Sequence, residues 1–78
     1  MNAQRRKEIQ AVLERLDDVA AEIRRIGDGE REYYGNMPES IQAGEKGERA
    51  YETASRIDEI ADALEEQYSV LDGVLDDN

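Results

Sequence analysis

The sequence predicts an all-α protein, an antiparallel, coiled-coil-like helical hairpin that dimerises into a four-helix bundle. Two observations carry the hairpin. Two apolar seams repeat on a heptad spacing, the period of a helix packed lengthwise on a neighbour. A stretch bearing glycine and proline separates these seams of near-equal length. One domain over residues 1–78 is expected, with helices at about 3–34 and 46–75 and a connection at about 35–45.

The first seam is Ile9, Val12, Leu16, Val19, Ile23 and Ile26, with steps of 3, 4, 3, 4 and 3. With Ile9 at heptad position a, the e positions hold Leu13 and Ala20, which widens the stripe to three residues per heptad. Such a stripe suits a packed bundle better than a two-stranded zipper. Gly27 and Gly29 each cost a helix roughly 1 kcal/mol relative to alanine. The pattern nevertheless continues past them, since Tyr33 is the next d position and Tyr34 the next e. The helix should therefore reach Tyr34, with a kink or fraying near Gly27, and end at Gly35-Asn36 in a left-handed terminator.

Pro38 fits the first position of a short helical turn completed by Glu39-Ser40-Ile41-Gln42. Gly44 or Gly47 then interrupts that turn before the second long helix. Its seam is Ala50, Ala54, Ile57, Ala61, Leu64, Tyr68, Leu71 and Leu75. With Ala54 at position a, Ile60 and Val74 fall at g and widen this stripe on its other flank. At 1.5 Å per residue the two helices span about 48 and 45 Å, lengths suited to pairing. A turn centred near residue 40 sets Ile9 opposite Leu71, Leu16 opposite Leu64 and Ile23 opposite Ile57. It also brings Arg5-Arg6-Lys7 beside Asp72, Asp76 and Asp77.

Size makes self-association an expectation. One core rarely supplies more than roughly 3–5 kcal/mol in so short a chain. Cysteine and histidine are both absent, which removes disulfides and the usual zinc ligands as reinforcement. In an isolated hairpin Leu13, Ile60 and Val74 would sit at the margin of the core. They are therefore the expected contacts of a homodimer.

The net charge of −10 disfavours direct binding to nucleic acid or anionic lipid, both of which require a basic face. The charge is uneven: net −1 over residues 1–38 and net −9 over residues 39–78. No apolar run approaches the length of a membrane span, and the residues after Met1 are polar, unlike a secretory signal. A cytoplasmic protein is expected.

Without His or Cys, no Ser/His or Cys/His nucleophile can be built. Carboxylate pairs such as Asp17-Asp18 abound, but a thin hairpin offers little of the concavity that acid–base catalysis needs. An enzyme is not expected, nor is a cofactor. Asp28, Glu30, Glu32 and Glu39 echo calcium-loop spacing, yet Tyr33 stands where that loop demands glycine. No metal site is assigned. Two clusters are candidates for binding a partner protein. Tyr33, Tyr34, Met37 and Ile41 gather at the hairpin tip, as binding anchors do, or close the end of the core, with Tyr33 continuing the seam. Asp58, Glu59, Asp62, Glu65 and Glu66 give the second helix an acidic face, either a polyanion mimic or a solvated surface.

The connection reads Asn36-Met37-Pro38-Glu39-Ser40-Ile41-Gln42, followed by Glu45-Lys46-Gly47-Glu48-Arg49-Ala50. It resembles a segment of small bacteriophage and prophage proteins. Those have a charged helix, an N-M-P-E-S-[LI]-Q turn, a G-E-[RK]-G-E or S-E-[RK]-G-E step, and an acidic helix rich in Ile-Asp-x-Leu. Here the acidic helix matches loosely, through Ile57-Asp58-Glu59-Ile60 and Ala61-Asp62-Ala63-Leu64, and the likeness covers roughly residues 30–65. The group has no settled activity, so the resemblance implies no functional residue. It implies a phage origin and, by analogy with small acidic phage proteins, inhibition of host machinery such as a CRISPR effector. The expected function is a non-enzymatic module that binds and modulates a host protein complex, as an anti-CRISPR-like or nucleic-acid-mimicking inhibitor. The alternative is a structural coiled-coil module whose main partner is itself.

Overall fold

The computed structural model describes residues 1–76. Three helices follow in order: α1 over Ala3–Gly35, α2 over Glu39–Gln42 and α3 over Glu45–Asp76. α1 and α3 pack antiparallel along their lengths as a rod about 59 Å long, and α2 closes one end. The hairpin and its element boundaries follow the sequence pattern closely.

α1 starts at Asn2, whose side-chain carbonyl accepts the Arg5 backbone N–H at 2.8 Å, satisfying one of the first-turn donors that a helix leaves unpaired. The helix runs unbroken through Gly27 and Gly29. It does not end in the expected left-handed residue. Asn36 lies in the right-handed region at φ −87° and ψ −4°, and among the described residues none, glycine included, has positive φ. The Asn36 N–H still donates to the Glu32 carbonyl, and the Met37 N–H donates to that of Tyr34 in a tighter final turn. Pro38 supplies the stop, since it carries no N–H and forces its predecessor toward extended geometry. Pro38 precedes α2 and accepts the N–H groups of Ile41 and Gln42, each at 2.9 Å.

α3 keeps the expected seam, with Ala50, Ala54 and Ala61 buried and Ile57, Leu64, Tyr68, Leu71 and Leu75 half-buried. α1 departs from it. Its buried residues are Leu13, Ala20 and Gly27, all at position e, while the d residues Val12, Val19, Ile26 and Tyr33 are exposed. Successive residues differ by about 100° around a helix, so α1 is turned toward the e side. The small residues explain this rotation, because the spacing of packed helices follows the side chains at their contact. Ala20 and Gly27 let α1 approach the alanine seam of α3, and a Cβ at Gly27 would lie 2.9 Å from Asp58 Oδ1 and 3.0 Å from Ile57 Cγ2.

The register is displaced from the expected one by about five residues, little more than a turn. Gly27 meets Ile57 and Asp58, and Tyr34 meets Tyr51. The first turn of α3 extends past the end of α1 to cover α2, and Gly47 packs directly on the Gln42 backbone. At the open end Ile9 and Leu71 still line one hollow. There Arg6 donates to the Leu75 backbone carbonyl at 3.1 Å. Among the described residues no ion pair joins Arg5, Arg6 or Lys7 to Asp72 or Asp76, and Asp77 lies outside them. The basic start therefore serves the carbonyl end of α3, where positive charge is favourable, in place of its carboxylates.

Candidate functional site

The hairpin has two unlike flanks, set by the rotation of α1. In antiparallel helices the e and b rows of one lie beside the e and b rows of the other, and the turn of α1 sets its d row beside the g row of α3 on the opposite side. The e/b flank is charged. Arg24 donates to Asp62 at 2.7 Å, lies 3.1 Å from Glu65 and stands 3.7 Å from Asp58 Oδ1. The hydrogen bonds that Arg24 donates to Asp62 and then to Glu65 raise its pKa above the ordinary value. Arg31 pairs with Asp58 Oδ2 and with Asp28 at 3.2 Å. The Asp58 side chain is only 18% exposed, and its Oδ1 accepts no hydrogen bond. Two arginines one heptad apart thus face carboxylates one heptad apart, Asp58 and Glu65.

This pairing divides the acidic candidates. Asp58, Asp62 and Glu65 are engaged by arginines across the hairpin, whereas Glu59 and Glu66 lie exposed on the outer face of α3 with no ion pair among the described residues. The expected acidic face is therefore partly neutralised. Asp28, Glu30 and Glu32 lie within α1, and among the described residues no group of three or more carboxylates could hold a metal ion.

At the tip, Tyr34 and Tyr51 pack edge to face with centroids 5.6 Å apart, a favoured aromatic geometry. Gln42 Nε2 donates to the Tyr34 carbonyl at 2.9 Å, fastening α2 to the end of α1. Met37 is half-buried and Ile41 exposed. Tyr33 does not close the core: it stands exposed at the tip end of the d row, and Tyr34 takes the packing role. Tyr51, the most exposed aromatic here, was not among the candidates read from the sequence.

The d/g flank is apolar. Val12, Val19 and Ile26 on α1 and Ile60 and Val74 on α3 are all exposed, with Val19 at 47% and Ile60 at 52%. At the open end Val12 and Leu71 line a shallow hollow with Met1, Arg5, Glu8 and Ile9. Ile60 and Val74 sit on this surface as expected, but Leu13 does not. It is 5% exposed, at the centre of the α1–α3 contact, because the turn of α1 carries e inward and d outward. The sequence signal for the exposed row was present in Val12, Val19, Ile26 and Tyr33, but the heptad alone could not say which of d or e faces α3.

No protein-family model, curated protein or solved structure matches the chain. Among the described residues, no helix is long and apolar enough to cross a membrane.

Proposed function

We propose that this chain is a non-enzymatic, phage-type interaction module that binds a protein complex of a bacterial host and modulates it by inhibition. One observation carries the reading: Tyr51 and Ile41 stand exposed at the tip, at 62% and 40%, on a rod whose open-end hollow is shallow. Exposed tyrosine is a common interface anchor, while catalysis calls for a concave, partly dry site. Glu59 and Glu66, with no ion pair among the described residues, stand farther along α3 on its outer face.

A nucleic-acid mimic is the weaker form of this reading. The outer acidic row Glu45, Glu52, Glu59 and Glu66 repeats about every 10.5 Å, against one charge per about 1.7 Å on a DNA duplex. Arg49 and Arg56 also pair with Glu45 and Glu52.

Capture from a bacterial lysate on the immobilised chain tests the function. A specific host protein should be retained, and Ile41→Ala with Tyr51→Ala should release it. Retention unaffected by those substitutions and by Glu59→Lys with Glu66→Lys would remove these surfaces from the proposal, and no specific retention would overturn it.

A further inference from the structure

We infer that the apolar flank is the seat of a second copy of this chain. The two hairpins join about a two-fold axis parallel to their helices, giving a four-helix bundle whose neighbouring helices are all antiparallel. Charge placement identifies the occupant. α3 carries ten acids over residues 45–76, yet none lies on its exposed g and c rows, Thr53-Ile60-Gln67-Val74 and Arg56-Ala63-Val70. A chain of net charge −10 repels its own copy, and a row left free of carboxylates is the surface on which that repulsion is least. An unlike basic partner would have been better served by an acidic flank.

Register supports the same arrangement. A two-fold axis along the rod preserves height, so residues level within one hairpin are also level between copies. Gly27 stands level with Ile57 and Asp58, and Tyr34 with Tyr51. Continuing that register sets Ile26 beside Ile60 of the second copy and Val12 beside its Val74, two apolar pairs between the α1 d row and the α3 g row. Val19 meets Gln67 and Tyr33 meets Thr53, with no carboxylate between. The surface is self-complementary, as a two-fold contact must be.

Sedimentation equilibrium tests this directly. The wild-type chain should sediment at twice its 8.8 kDa mass at micromolar concentration. Ile60→Glu and Ile26→Glu should each weaken association by on the order of 100-fold, since each substitution enters the interface twice, while circular dichroism shows the helices retained. A wild-type monomer overturns the proposal, as does a dimer indifferent to both substitutions. With Ile26→Cys in one chain and Ile60→Cys in another, mild oxidation should link the two, and a dimeric mixture that fails to link overturns the axis. If the wild type is monomeric but Ile60→Glu releases a captured lysate protein, a different protein occupies the flank. That outcome refutes the dimer and leaves the interaction function standing.

Discussion

Leu13 and Val19 are both apolar residues of α1, but they stand in different physical environments. Leu13 lies at the centre of the α1–α3 contact and Val19 on the open flank. Truncating a buried leucine costs about 2–5 kcal/mol, transfer and cavity together. That is much of what so small a fold holds. We expect Leu13→Ala to unfold most of the chain at room temperature. Val19→Ala should change stability by less than about 0.5 kcal/mol when measured at concentrations low enough to keep chains apart. Chemical denaturation of both variants checks the difference, and equal losses would contradict the rotation of α1. Gly47 makes a second residue-scale prediction. Any Cβ there would enter the Gln42 backbone, which cannot swing aside as a side chain can. Gly47→Ala should therefore lose about 1–3 kcal/mol, against a gain of up to about 1 kcal/mol from helix propensity alone. A stabilised variant would show that α2 does not rest on α3.

At the scale of the element, Arg24 and Arg31 bind α1 to α3 on one side only. The Asp58 carboxylate is mostly covered, so removing Arg31 leaves a sheltered charge under-compensated. Arg31→Gln should melt below the wild type in low salt, and the gap should shrink toward 1 M salt, where the Debye length falls to about 3 Å. A gap constant across ionic strength would mean that Arg31 acts through packing. The elements themselves were legible in the sequence. Two heptad runs, Pro38 and the glycines placed both long helices and the short one to within a residue or two. The rotation of α1 was not legible, because Val19 and Ala20 are both acceptable core residues. The choice between them is made by what α3 presents, an alanine seam that favours Ala20 and Gly27. The five-residue displacement was hidden for a related reason. It comes from Gly47 seating on Gln42, a contact that no periodicity encodes.

Across the whole molecule, the same rotation sorts the surface into a charged flank crossed by arginine–carboxylate pairs and an apolar flank whose side chains are exposed. The candidate site was accordingly half visible. Ile60 and Val74 could be read as surplus to one seam, whereas Leu13 could not be told from Val12 without the rotation. The acids of α3 were visible as a face, but their neutralisation by Arg24 and Arg31 required the register. The central claim is that this rod buries the e row of α1 and keeps the d row for another surface. The chain lacks cysteine, so a single introduced thiol reports its own position cleanly. The most direct measurement is the rate of thiol labelling at Ala20→Cys and Val19→Cys as chain concentration rises. Ala20 is 4% exposed in the e row, and Ala20→Cys should react slowly at every concentration. Val19→Cys should react fast in dilute solution and become protected as copies associate. Rapid labelling at Ala20→Cys, or early protection at Val19→Cys in dilute solution, would contradict the account.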